Sequence, residues 1–215
     1  MLTCMKKMIF ILVFCFTFSF VFAHPHMFFT SKIDFIFSGE KLTGAYVTWT
    51  FDRSFSADII YGYDLNKDGK FSTAETSEVY DNAFTYSQNY YYFTFIRQGN
   101  KRTSPENVPK SKFFVRQNNG IVSYRFYVDL SEFTGREIYF ACYDYTFFCD
   151  ITYPEKGAVN FICDKTKLNP KFRVEENKDY PIYYNPFGPI YDTTIYYKWM
   201  PGLLTYYPKE IHIIF

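Results

Sequence analysis

The sequence predicts a mainly β protein, an antiparallel sandwich, with a helix–loop–helix unit inserted between its second and third strands. Three observations predict it. Runs of aromatic and β-branched residues recur along a chain that carries 27 Phe and 22 Tyr in 215 residues, and such residues suit a pleated, half-buried surface. Turn signals punctuate those runs, above all Asn118-Asn119-Gly120, because Asn-Gly is the strongest short hairpin signal. Residues 64–75 break the strand pattern with a polar, glycine-containing loop that has helical periodicity on either side.

Taken in order, residues 27–37 and 42–51 read as two strands around the turn Ser38-Gly39-Glu40. The stretch 54–63 reads as a short helix, and 73–88 as a second one with Val79, Ala83 and Phe84 on one side. Residues 91–98 return to strand, and 112–117 and 121–130 flank the Asn-Gly turn. Residues 136–153 form a long aromatic strand region. A hairpin follows at 153–159, whose loop Glu155-Lys156-Gly157 sets Cys149 opposite Cys163. Pro170, Pro181, Pro186, Pro189, Pro201 and Pro208 interrupt the tail until a closing strand at 211–215. The domain plan is a leader at 1–23, a β domain at 24–164 with its insertion at about 54–88, and a Pro- and Tyr-rich arm at 165–215 packed on the same domain.

The leader has Lys6 and Lys7, then the apolar run MIFILVFCFTFSFVF, then Ala23 with Val21 two residues before it. That is the pattern of a secretory signal peptide cleaved after Ala23, and the run is short for a membrane span. The expected location is the periplasm or the outside of the cell, with no stable membrane insertion after cleavage. Losing Lys6 and Lys7 takes the formal charge from +1 to −1, so a nucleic-acid partner is not expected. Cys142, Cys149 and Cys163 stay with the mature chain. In an oxidising compartment the hairpin register favours a Cys149–Cys163 disulfide, against three buried thiols acting as small hydrophobes.

Residues 64–75, DLNKDGKFSTAE, match the EF-hand calcium loop at every defined position. Asp64, Asn66 and Asp68 stand at positions 1, 3 and 5, and Gly69 supplies the bend at 6. Lys70 would offer its carbonyl at 7, Ser72 a hydroxyl or bridging water at 9, and Glu75 a bidentate carboxylate at 12. The competing reading is a polar turn with a capping box, because Ser72 followed by Glu75 is also a helix start. The loop occurs once, whereas sensors pair their hands. The expected role is a structural Ca2+ staple.

Only three histidines are present, and His24 and His26 stand as His-Pro-His at the expected mature terminus. Imidazole is the commonest transition-metal ligand, and cleavage would add an α-amine as a third nitrogen. Pro25 has no amide proton to lose, which removes the amino-terminal copper and nickel chelate. Two options stay open, a brace made by the amine and ring of His24, or two monodentate rings with a carboxylate; the competing reading is a pair of solvated terminal residues. His212, alone in Ile211-His212-Ile213, reads as a packed residue.

Several stretches together resemble one exported family of unknown function, described as the periplasmic component of an uncharacterised ABC-type transport system. They are AHPHMFF (23–29), WTFDRSFS (49–56), YDLNKDGKFSTAE (63–75), YFTFI (92–96) and CYDYTFFCDI (142–151). The resemblance covers about two-thirds of the chain. It implies handling of a divalent transition metal, Zn2+, Ni2+ or Co2+ before copper, beside a membrane metal permease, and it implies no enzymatic activity. His24, His26, Asp52 and Asp144 are the recurring polar residues it points to outside the loop. Asp52 and Asp144 also interrupt aromatic runs, where a buried carboxylate is costly unless paired or ligated; the alternative for each is a strand-end or helix-capping aspartate.

The primary expectation is a metal-binding accessory protein that is not an enzyme. One rival is a copper enzyme of the histidine-brace kind, for which only His212 is left as a further ligand. Another is a calcium-stapled interaction module without transition metal. No Gly-x-Ser-x-Gly, His-Glu-x-x-His, Walker loop or dinucleotide fingerprint occurs.

Overall fold

The computed structural model describes residues 24–189 and 191–215, so the expected leader lies outside the described residues. The protein is mainly β. Strands β1 (Met27–Ser38) and β2 (Lys41–Phe51) form the expected hairpin, and β2 continues antiparallel onto β6 (Ile121–Asp129), which pairs with β5 (Phe113–Asn118) across the Asn-Gly turn. A second sheet runs β10 (Lys171–Glu176), β13 (Lys209–Ile214), β7 (Glu137–Cys142), β3 (Thr94–Gln98) and β4 (Lys101–Thr103), all antiparallel. The two sheets share one core, in which Phe35 of β1 meets Phe140 of β7 edge-on at 5.4 Å. Alternation along β6, buried at every second residue, is the period-2 pattern of a strand with one covered face.

Several sequence expectations change. The long strand expected at 136–153 is cut in two, because Asp144 folds residues 143–148 into a turn. Its Oδ1 accepts from the backbone N–H and Oγ1 of Thr146, both at 2.9 Å, and its Oδ2 accepts from Cys149 N at 3.0 Å. The chain thereby leaves the second sheet at Cys142 and enters the first at β8 (Cys149–Thr152).

The hairpin expected at 153–159 does not form. β8 and β9 (Val159–Ile162) both lie parallel to β1, end to end, with Cys149 beside Met27 and Ile162 beside Ile36. A twelve-residue strand leaves an edge that one four-residue partner cannot cover, and two successive partners cover it. Cys149 and Cys163 are therefore separated by roughly nine residues of β1, about 30 Å at 3.3 Å per residue, far beyond disulfide reach. The expected Cys149–Cys163 bridge is corrected: Cys142, Cys149 and Cys163 are all free. Burial pushes the Cys142 thiol up to about 12 and raises that of Cys149 well above its usual range.

The helix expected to run to residue 88 ends sooner. α1 (Arg53–Tyr63) and α2 (Thr73–Asn82) flank the 64–72 loop, and Phe84–Phe93 continues as 3-10 turns. The strand expected from 91 starts at Thr94, because Tyr91, Tyr92 and Phe93 sit at φ +58, +50 and +47, a left-handed run that no strand can contain. Last, the 165–215 arm does more than wrap the domain. It supplies β10 and β13, the edge strand and its neighbour on one side of the second sheet, besides a small sheet of β11 (Ile182–Tyr184) and β12 (Leu204–Tyr206).

Candidate metal centre

The segment before β1 is pinned by one carbonyl, since Phe148 O accepts from His26 N at 2.8 Å and from Met27 N at 3.2 Å. The Asp144 turn therefore sets where the two imidazoles lie. Their ring centroids are 4.8 Å apart, and Phe148 packs on both. His24 is 6% exposed, and its Nε2 lies 2.9 Å from the carbonyl of Asp192 in the arm. A carbonyl only accepts, so in the neutral ring Nε2 carries the proton and Nδ1 keeps its lone pair.

Among the described residues neither His24 Nδ1 nor His26 Nε2 has a hydrogen-bond partner, and both atoms are buried. Burial, followed by the nearby His24, lowers the pKa of His26. The ring thus stays neutral, the form that binds metal, to a lower pH than free histidine.

Asp192 is the residue that sequence reasoning missed. It stands 168 residues from His24 and acts through its backbone, which leaves no side-chain signature. Its carboxylate accepts from Thr194 N and is held below the usual range, chiefly by Thr194. The fold of the arm there is tight: a Cβ on Gly188 would meet the Asp192 carboxylate at 2.6 Å.

The other expected ligands stand apart. Asp144 is 2% exposed with a pKa raised by burial and countered by its turn hydrogen bonds; three donors satisfy it. Asp52 caps α1, accepting from Phe55 N at 2.9 Å. Among the described residues no three His, Cys, Asp or Glu side chains come together as a metal site, so the structure joins His24 to His26 without Asp144 or Asp52. His212 is packed as expected, stacked on Tyr139 at 4.2 Å with Nε2 2.5 Å from Glu137 Oε1. Beside the imidazoles, a cavity of about 380 Å³ has aromatic walls including Phe29, Trp49 and Phe148, with Asp144 and Cys149 at its edge.

In the loop, Gly69 takes φ +76 as the bend requires, and its N–H donates to Asp64 Oδ2 at 3.1 Å. Asn66 Oδ1 accepts from Asp68 N, and Asp68 Oδ1 accepts from Lys70 N. Ser72 and Glu75 form the capping box, and Glu75 also accepts from Leu65 N at 2.9 Å. These bonds, that from the Ser72 backbone first, lower the Glu75 pKa. Asp64 Oδ1 is buried with no partner among the described residues.

A family model described as "Protein of unknown function (DUF1007)" matches residues 9–215. Over 148 residues the chain is 29% identical to "Uncharacterized 15.5 kDa protein in trpE 3'region" of Spirochaeta aurantia, covering 67% of this chain and all of that protein. Over 165 residues it is 27% identical to an uncharacterized protein of Haemophilus influenzae, covering 74% of this chain and 76% of the relative. No solved structure matches. Among the described residues no helix is long and apolar enough to cross a membrane.

Proposed function

Starting from this chain's membership of the DUF1007 family of proteins of unknown function, we propose that it is a divalent transition-metal-binding accessory protein, which works outside the inner membrane and passes its metal to or from a membrane permease. One observation carries the reading. His24 donates Nε2–H to a backbone carbonyl, which turns a lone pair at Nδ1 toward no protein partner, 4.8 Å ring to ring from a second imidazole with an orphaned nitrogen. Metal-binding histidines characteristically hold their other ring N–H in this way. A buried nitrogen without a partner is costly in a metal-free protein and satisfied in a loaded one.

Two imidazoles are half a site. If export cleaves after Ala23, the α-amine of His24 becomes available, and Nδ1 is the ring nitrogen close enough along the chain to close a chelate with it. The set of two imidazoles and an amine suits Zn2+, Ni2+ or Co2+. A copper enzyme with a third imidazole is disfavoured, because His212 lies in the second sheet, stacked on Tyr139 with Nε2 against Glu137, and not beside the pair.

Zinc titration by calorimetry of two forms, one beginning at His24 and one at Met-His24, tests this. The first should bind at least about tenfold more tightly, a difference of 1.4 kcal/mol. Equal binding would remove the amine and leave the rings; no saturable binding by either form would sink the metal reading.

The loop supports a second reading, a structural Ca2+ staple. Asp64 Oδ1 is an orphaned buried oxygen at position 1 of a complete motif. The capping box holds Glu75 on Ser72 and Leu65, so calcium would have to draw that carboxylate off two backbone N–H groups. Millimolar calcium should raise the thermal midpoint of the protein, by about 1.4 kcal/mol of stability at ten times Kd, and Glu75→Gln should remove most of that rise. Superimposable melts in calcium and in chelator would exclude the staple.

A further inference from the structure

On the edge strand β4, Arg102 stands directly opposite Arg97 of β3. Like charges facing one another across a ladder repel, and Glu210 bonds directly to only one of the pair, reaching Arg102 at longer range. Arg97 holds Glu210 in a fork, Nη2 at 2.6 Å and Nε at 3.3 Å. Among the described residues no ion pair or hydrogen bond reaches the Arg102 guanidinium. It sits instead in a cage of rings, with Phe95 and Tyr180 centroids each 4.6 Å away, Tyr143 at 5.1 Å and Tyr145 at 5.4 Å.

Rings ease the cost of a half-buried cation, but they accept none of its five N–H donors. That side chain opens on a cavity of about 530 Å³, within the range of small-molecule sites, and Tyr91, Ser104, Glu106 and Tyr145 are on its walls. Tyr91, one of the three left-handed aromatics, is held there at φ +58. Backbone strain of this kind persists only where the surroundings enforce it.

We propose that Arg102 and its ring cage are a binding site for a small aromatic monocarboxylate. A planar carboxylate matches the guanidinium fork in the manner Glu210 matches Arg97, and a flat ring suits walls made of Tyr and Phe faces. One cation with the Glu106 carboxylate on the same wall favours a single negative charge over the double charge of phosphate. The site is separate from the histidine pair, and its failure leaves the metal reading untouched.

The probe is benzoate, with benzamide as its uncharged shape-mate and inorganic phosphate as the dianion. Chemical shifts of the protein amides around Arg102 are followed on titration. Benzoate should bind at least about tenfold more tightly than benzamide or phosphate, Arg102→Gln should abolish the preference for benzoate over benzamide, and Tyr145→Leu, on the cavity wall, should weaken benzoate while the charge preference stays. Should Arg102→Gln fail to fold, Arg102→Lys keeps the charge, loses the fork, and should lower benzoate affinity several-fold. Equal binding of benzoate and benzamide, benzoate binding unchanged by either Arg102 variant, or no benzoate binding to the parent protein would each overturn the proposal, leaving Arg102 a structural clamp.

Discussion

Replacing His24 and His26 together by alanine is expected to weaken zinc binding at least about 100-fold, or 2.7 kcal/mol, with a single replacement giving an intermediate loss. Each removes one of the two orphaned nitrogens. Asp144→Asn should lower zinc affinity only indirectly and together with stability, because the amide cannot accept from Cys149 N and so loosens the turn that holds His26, whereas a ligand role would cost affinity alone. The pH dependence is specific in sign. The folded-state pKa of His26 lies below its unfolded value, so the neutral ring's contribution to stability is whole above about pH 6.5 and is lost as pH falls through that value toward the folded pKa. Zinc should hold on under mildly acidic conditions where free imidazole is already protonated, and release below. Calorimetry at several pH values checks both points; a double variant that binds zinc like the parent would end the imidazole site.

Phe140→Ala is expected to cost about 3–5 kcal/mol. Its ring is fully buried and makes the edge-on contact with Phe35 that joins β7 to β1 across the two sheets. Truncation leaves a cavity between layers that cannot close without bending both. Phe28→Ala serves as the control, since that ring is 47% exposed on the same β1; surface changes usually stay within about 0.5 kcal/mol. Urea unfolding should show a lower midpoint with unchanged slope for Phe140→Ala and almost no change for Phe28→Ala. A loss under 1 kcal/mol at Phe140 would mean that the sheets do not depend on this contact.

Local signals carried most of the fold. Asn118-Asn119-Gly120 and Ser38-Gly39-Glu40 each place a φ-positive glycine where a hairpin turns, and both hairpins are present. Asp52 and Ser72, offered first as ligands with capping as the alternative, are caps. Pairing between distant strands was not legible: β8 and β9 look like a hairpin because they are neighbours in sequence, but β1 has the longer free edge. The false disulfide followed from that local view. Asp144 was singled out correctly as an anomalous buried carboxylate, yet its partners are its own turn, a possibility that burial cost alone cannot separate from ligation. At the candidate metal centre His24 and His26 were visible by composition. Asp192 was not, because a backbone carbonyl has no residue type.

The end-to-end seating of β8 and β9 on β1 also fixes the order in which the molecule can be finished. Met27 waits for a partner 122 residues later in the chain, and β7 waits for β13, the last strand of all. Neither sheet can be completed from the first half of the chain, however early β1 and β2 pair. Contacts of such long sequence separation slow folding. A polypeptide built this way stays threadable until nearly all of it has emerged, and the histidine pair, closed by Asp192 from the far end of the chain, is among the last features to exist.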